Sequence, residues 1–148
     1  SYKYIRKKKE KYVEIEYENN LITNLVVLPE YDTTKLTPIT NEMLHDTIDP
    51  SSFFLNLLYF ENLNNCENIF RIFDGKRRYD VLFNGINING NNIECEARQV
   101  KIGGYKEKEE DIFASSDFIK VVYSNQNNKF IGYEARNKNI MISIKEKI

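Results

Sequence analysis

The residues that could perform nucleophilic or acid–base chemistry are few, and their order matches no catalytic motif. His45 is the only histidine, Asp46 follows it, and Ser51 and Ser52 lie a few positions further on. A catalytic triad requires its side chains to converge in space, which proximity in sequence does not ensure. A serine at the start of a helix more often caps that helix. We therefore predict no catalytic residue and expect the protein not to be an enzyme.

Metal and cofactor chemistry has equally little support in the sequence. The two cysteines, Cys66 and Cys95, are far apart and the chain has one histidine, so the ligand spacing of a structural zinc site is missing. The chain also lacks a calcium-binding loop motif and a glycine-rich phosphate loop. Glu14 and Glu16 fall on one strand face, as an acid–base pair could, but this pattern is also that of a solvated sheet surface. We predict no metal and no cofactor.

Two basic clusters are candidates for binding. Residues 6–9 read Arg-Lys-Lys-Lys, and residues 76–78 read Lys-Arg-Arg. Either could face phosphate, anionic lipid headgroups or an acidic partner. The first is nearly neutralised by the glutamates that follow it, and charged side chains also protect strand edges from unwanted pairing. Because the net charge is only −1, we predict no nucleic-acid partner.

The elements that position these residues are mostly β-strands. Between Lys11 and Glu18, apolar and acidic residues alternate, so Val13, Ile15 and Tyr17 share one face. A turn at residues 19–20 and a return strand over residues 21–28 should follow.

One amphipathic helix is predicted from Asp49 to Asn62. Asp49 suits the N-cap position and Pro50 the first helical position. Four residues, Phe53, Phe54, Leu57 and Leu58, should form its apolar stripe.

Short strands dominate the second half of the chain. Asp74-Gly75 separates apolar runs over residues 69–73 and 76–83, which predicts a hairpin with a type I′ turn. Further strands are expected around residues 93–97, 118–123, 130–136 and 140–145. This pattern predicts a single mainly β domain over residues 1–148. Its antiparallel sheet should be strongly curved, or form an open barrel, with the helix packed on the concave face.

The sequence leaves open whether Cys66 and Cys95 form a disulfide or remain free thiols. A Cys66–Cys95 bridge would tie the end of the helix to the sheet and stabilise the fold by about 3.6 kcal/mol in the chain-entropy model. Two buried free thiols in a reducing compartment fit the sequence equally well.

Several of these segments together resemble an uncharacterised proteobacterial family of exported proteins, known as domain of unknown function number thirty-one-zero-eight. The resemblance covers residues 40–148 and, more loosely, residues 12–29. It rests on Asp49-Pro50-Ser51, Cys66, Phe73-Asp74-Gly75-Lys76-Arg77-Arg78-Tyr79-Asp80, Cys95 and Gly103-Gly104-Tyr105.

The resemblance implies a mainly β fold, export to the periplasm and further strands upstream of residue 1. Export in turn favours a Cys66–Cys95 disulfide. No activity is established for the family, so the resemblance implies no catalytic residue.

The function expected from these observations is a non-enzymatic binding or assembly module of the periplasm and cell envelope. Its partner would be a lipid-like or peptide ligand or an envelope protein, with peripheral membrane contact. The residues expected at the rim of the binding face are Lys76, Arg77, Arg78 and Tyr105. The alternatives are a purely structural envelope protein with a filled core and a carboxylate-dependent hydrolase of cell-wall or sugar substrates. The sequence leaves the oligomeric state open.

Overall fold

The computed structural model describes residues 2–6, 9–59, 66–106, 118–137 and 140–145, and side chains between residues 12 and 135 within these ranges. The described elements are one α-helix, nine strands and two 3-10 turns. They are β1 (Tyr2–Arg6), β2 (Lys9–Glu18), β3 (Leu21–Leu28), the turns Thr33–Lys35 and Glu42–Leu44, α1 (Pro50–Tyr59), β4 (Ile69–Phe73), β5 (Arg78–Asn89), β6 (Asn92–Gly103), β7 (Phe118–Ser124), β8 (Phe130–Asn137) and β9 (Ile140–Lys145).

The strands form two antiparallel sheets, each a meander in chain order. The first sheet contains β1–β2–β3, and the second contains β4 through β9. The second sheet curls into a half-barrel. Each strand of a meander pairs with the next one along the chain, so short turns suffice to connect them. The mainly β, antiparallel and strongly curved fold predicted from the alternating pattern is confirmed.

The core lies on the concave face of the second sheet. Along β7, Ile119, Val121 and Tyr123 are buried while the residues between them are partly exposed. Because successive side chains of a strand point to opposite faces, this alternation places one complete row in the interior. Matching rows from β4, β5, β6 and β8 complete the core: Ile72, Val81, Phe83, Ile93, Cys95, Ala97 and Tyr133.

The helix begins as its sequence predicts. The Asp49 carboxylate accepts the backbone N–H groups of Ser51 at 2.8 Å and Ser52 at 3.1 Å, and the Ser52 hydroxyl donates to the same carboxylate at 2.6 Å. These bonds satisfy donors that have no partner within the first turn. The helix is described as far as Tyr59, and its predicted end at Asn62 lies outside the described residues.

The helix packs across the concave face, as predicted. The Phe53 ring meets Phe70 of β4 edge-on, with centroids 5.2 Å apart. On β7, three strands further along the same sheet, the Tyr123 hydroxyl donates to the Leu57 carbonyl at 3.2 Å. The predicted four-residue stripe is too wide, however. Phe53 and Leu57 are buried, whereas Phe54 is 36% and Leu58 47% exposed. Phe53 and Leu57 are four residues apart and lie on one helical line. Phe54 lies at the margin of the contact, where its ring meets Tyr133 edge-on with centroids 5.2 Å apart.

A second, smaller core connects the two sheets. Val13 and Ile15 of β2 are buried together with Phe73, the last residue of β4. The outward-facing Glu16 of β2 is exposed, so the predicted two-sided pattern of this strand is correct. The small core places the end of β4, and the loop that follows it, against the first sheet. No described helix is long and apolar enough to span a membrane.

Candidate functional site

The loop between β4 and β5 spans residues 74–77 and is held by Asp74. The Asp74 carboxylate accepts backbone N–H groups from Lys76 at 2.9 Å and Arg77 at 2.6 Å, and the Asp74 N–H donates to the Arg77 carbonyl at 3.1 Å. Gly75 has φ +86°, but Asp74 has no positive φ. The predicted type I′ turn is therefore wrong. The Asp74 side chain takes part in the turn instead, and β5 begins at Arg78, two residues later than predicted.

The Gly103-Gly104 pair brings the end of β6 against this loop. A Cβ atom at Gly104, where φ is +79°, would lie 2.0 Å from the Lys76 carbonyl oxygen. A Cβ atom at Gly103 would lie 2.8 Å from the Pro38 carbonyl oxygen. Only glycine tolerates such close backbone approach without a shift. The two glycines therefore join three chain segments that are distant in sequence.

Tyr105 is anchored through its backbone. Its N–H donates to the Thr37 hydroxyl at 3.1 Å, and its carbonyl accepts the Thr37 N–H at 2.7 Å. The ring is buried, and its hydroxyl accepts the Gln99 side-chain amide at 3.2 Å. The position of the ring is therefore set by Thr37 on one side and by Gln99 of β6 on the other.

One cation from the 74–77 loop and one from β6 lie against the Tyr105 ring. The Arg77 guanidinium carbon is 5.7 Å and the Lys101 ammonium nitrogen 4.8 Å from the Tyr105 centroid. Beside them, the Lys76 ammonium lies 5.1 Å from the Tyr31 centroid. Contacts of this kind contribute about 0.5–2 kcal/mol each, according to their exposure. We call these five residues the basic–aromatic cluster.

Arg77 is the least satisfied member of the basic–aromatic cluster. Its Nε atom is buried and has no hydrogen-bond partner among the residues that the structure describes. The charges of Asp74 and Arg77 act on the hydroxyl of Tyr31. Burial raises the pKa of the Tyr31 hydroxyl, the Asp74 carboxylate raises it further, and Arg77 opposes both effects. The loop thus carries a partly buried guanidinium with unused donor capacity.

Arg78 does not lie at the rim as expected. It is 4% exposed, its Nε–H donates to the Met43 carbonyl at 2.7 Å, and one terminal nitrogen donates to the Tyr79 carbonyl at 2.7 Å and the Asp80 carboxylate at 2.5 Å. The prediction placed it with its neighbours because the three cations are consecutive. Arg77 belongs to the loop, whereas Arg78 is the first residue of β5 and its side chain bonds to Met43, Tyr79 and Asp80. Arg78 is therefore a structural residue.

Lys101 and Tyr31 are the members of the cluster that the sequence analysis missed. Lys101 lies opposite Tyr79 in the β5–β6 pairing, one step from the pair Arg78–Gly103. Pairing the strand after the Asp-Gly loop with the strand that ends at Gly103 would have predicted that Lys101 lies near Arg77. Tyr31 offers no comparable signal because it lies in an irregular segment.

The two cysteines form a disulfide, as favoured by the family resemblance. Both are fully buried, with their Cα atoms 5.1 Å apart. The bridge ties the chain that follows α1 to the middle of β6. It belongs to the core and is remote from the cluster in the pairing of β5 and β6, where Cys95 lies opposite Ile86 and Arg78 opposite Gly103.

The residues considered for catalysis have other contacts. Ser51 and Ser52 donate their backbone N–H groups to the capping carboxylate of Asp49. Asp46 lies 4.0 Å from Arg71 in an exposed ion pair. The Tyr12 hydroxyl donates to the Glu14 carboxylate. Within the described ranges, no three His, Cys, Asp or Glu residues are grouped so that they could hold a metal ion. Hydrolysis by a carboxylate pair stays a prediction.

Comparison with known proteins identifies no relative: no family model matches the chain, and no curated protein or solved structure shows a significant similarity. The family resemblance based on residues 40–148 therefore stays a prediction.

Proposed function

We propose that this protein is a non-enzymatic binding module of the bacterial periplasm that holds an anionic headgroup of a lipid-like ligand at the basic–aromatic cluster. The observation that carries the proposal is the buried Nε of Arg77, which has no hydrogen-bond partner in the described part of the chain. A buried donor without an acceptor costs about 1–3 kcal/mol, and such groups are rare in native proteins. An anion bound beside Arg77 would remove this cost.

The surroundings of Arg77 favour an anion over a neutral group. Lys101 lies against the same tyrosine ring, and Lys76 is in the same loop. The loop's own carboxylate, Asp74, already accepts two backbone N–H groups. Phosphate oxygens are strong acceptors for a guanidinium and suit a point charge such as lysine.

The periplasmic location is supported by the Cys66–Cys95 disulfide. Disulfides form and persist in oxidising compartments and are rare in the cytosol. Resemblance to an exported family points in the same direction.

The ligand is assigned to the cluster and not to the interior of the curved sheet. Phe53 and Leu57 of α1 are buried against that interior, at 4% and 1% exposure. The helix side chains therefore fill the concave face where α1 crosses it. This filled core also favours a second candidate, a purely structural envelope protein that binds no ligand.

Co-sedimentation with lipid vesicles tests the proposal. The native protein should bind phosphatidylglycerol vesicles and not phosphatidylcholine vesicles. Each basic residue near an anionic surface contributes about 1 kcal/mol, so the double variant Arg77→Gln/Lys101→Gln should bind about 30-fold more weakly. Calorimetry with inorganic phosphate separates recognition of the phosphate from contact with a whole membrane.

Lys129→Gln and Lys35→Gln provide the matched control, because both lysines are exposed and lie outside the cluster. This control removes the same total charge and should retain binding. If both double variants lose the same vesicle affinity, binding depends only on the total charge of the protein, and the assigned site is overturned. Native protein that binds neither vesicles nor phosphate would favour the purely structural function.

A further inference from the structure

Among the residues that the structure describes, none pairs with the outer edge of β5 along the second half of that strand. Strand β4 pairs with β5 only as far as Leu82, and the last backbone bond on this side runs from the Phe83 N–H to the Asn68 carbonyl at 3.0 Å. From Gly85 to Asn89, β5 pairs with β6 on its inner edge. No described strand or backbone hydrogen bond occupies the outer edge of these five residues.

The side chains of this segment leave apolar surface uncovered. Ile86 pairs with Cys95 and Ile88 with Ile93, so both isoleucines lie on the face that carries the core. Their partners are fully buried, yet Ile86 is 47% and Ile88 65% exposed. The apolar face that forms the core therefore extends to the sheet edge, where Ile86 and Ile88 leave part of it exposed to solvent.

The segment also lacks the usual protection of an edge strand. Its residues 84–89 read Asn-Gly-Ile-Asn-Ile-Asn, with no charged residue and no proline. Natural edge strands commonly carry lysine, proline or inward-pointing charges that prevent another strand from pairing. Nothing of this kind opposes pairing here.

The two isoleucines of this segment are placed symmetrically about Asn87. If a second copy pairs antiparallel across a two-fold axis at Asn87, Ile86 lies opposite Ile88 of the second copy, and Ile88 opposite Ile86. Directly opposite β-branched side chains on one face are a stabilising cross-strand pair. A two-fold axis makes both halves of such an interface identical, which is the commonest symmetry of protein dimers.

The length of the open edge suits this arrangement. On one side it ends where Phe83 bonds to Asn68, and on the other side it ends at the Gly90 turn. Five residues from Gly85 to Asn89 can then pair with the same five residues of a second copy.

We propose that the outer edge of β5 over residues 85–89 is a self-association surface, through which two copies join their six-stranded sheets into one continuous sheet. The paired segment is short, so its interface is smaller than the roughly 1,200 Å² of stable complexes and the dimer is weak. The surface lies at the opposite end of β5 from Arg77, and the proposal does not depend on anion binding.

Analytical ultracentrifugation at about 5 to 500 µM, the range where a small interface would dissociate, tests this proposal. The mass of the native protein should rise from the 17.5 kDa monomer towards twice that value. The variant Ile86→Lys/Ile88→Lys should stay monomeric throughout, because four lysines would meet on one face. Leu55→Lys, which charges an exposed apolar residue of α1, should dimerise like the native protein.

Hydrogen exchange gives a second readout that does not need a variant. The backbone amides of residues 85–89 that face outward should be protected at the high concentration and exchange freely at the low one. Native protein that is monomeric over the whole range overturns the proposal and leaves the edge to a strand of another protein. Dimerisation that Leu55→Lys abolishes, or that the double lysine variant retains, places the interface elsewhere and also overturns it.

Discussion

Gly104 and Lys76 lie in backbone contact, although 28 positions separate them in the sequence. The contact joins the end of β6 to the β4–β5 loop and sets the distance between Tyr105 and Arg77. It leaves no room for a side chain at residue 104.

Gly104→Ala should therefore destabilise the protein. The methyl group would meet the Lys76 carbonyl in a backbone conformation with φ +79°, and strain plus overpacking together cost about 3 kcal/mol. Urea unfolding measures the loss. Gly90→Ala is the matched control, because φ is +59° but no atom lies within 4 Å, and it should cost about 1 kcal/mol. Equal losses at the two sites would show that the contact with Lys76 is unimportant.

Arg78→Ala should destabilise the fold without requiring any loss of ligand binding. The variant would remove three hydrogen bonds and leave Asp80, with 20% of its side chain exposed, without its cation. Breaking a buried pair costs about 3–5 kcal/mol, and the partial exposure of Asp80 brings our expectation to about 2–3 kcal/mol. The free energy of unfolding tests this value.

Arg71→Ala provides the comparison for Arg78. The Arg71–Asp46 pair is 4.0 Å long and its side chains are 51% and 63% exposed, so its loss should cost less than about 1 kcal/mol. An effect of Arg71→Ala as large as that of Arg78→Ala would contradict the structural assignment of Arg78.

Reduction of the disulfide should lower the free energy of unfolding by about 3.6 kcal/mol, since the bridge closes a long loop in the unfolded chain. Mass spectrometry of the native protein with and without reductant should show that reduction adds two hydrogen atoms, one to each sulfur. Urea unfolding under the same two conditions gives the energy. Cys66→Ala/Cys95→Ala should lose the response to reductant. Free thiols in protein isolated under non-reducing conditions would contradict the bridge.

Stability should fall at high pH because of Tyr133. Burial raises the pKa of the Tyr133 hydroxyl to about 12, while the unfolded chain ionises near pH 10. The unfolded state therefore releases its proton first, and this contribution is fully present below pH 10 and is lost as the pH rises from 10 to 12. Two pKa units correspond to about 3 kcal/mol.

Tyrosinate absorption and urea unfolding between pH 9 and 12 follow this change. Other tyrosines titrate in the same range, so Tyr133→Phe is needed to isolate the effect. The variant should lose less stability than the native protein over this interval. Parallel pH curves for the two proteins would show that Tyr133 ionises equally well in the folded and unfolded states.

Local features of the fold followed directly from the sequence. The Asp49 cap, the alternating faces of β2 and the approximate positions of β2 to β9 depend on residues within a few positions of each other, and the structure confirms them. Strand β1 was not predicted. The helix stripe was overestimated at Phe54 and Leu58 because periodicity shows which residues share a face but not how wide the opposing surface is.

The candidate site depended on contacts that no local pattern contains. Arg77 and Arg78 are adjacent cations of the same chemistry, yet one lies against Tyr105 and the other is enclosed by backbone carbonyls and Asp80. The boundary between the loop and β5 separates them. Only the packing of β6 and residues 37–38 against the loop brings Lys101 and Tyr105 to Arg77.

The sequence by itself determined a mainly β chain with one capped helix, since hydrophobic alternation and capping are short-range effects. The tertiary structure alone decided which cations gather on one tyrosine ring, which arginine is buried and which strand edge has no described neighbour. Those outcomes depend on the register between strands that are distant in the chain. Register is a property of the complete sheet.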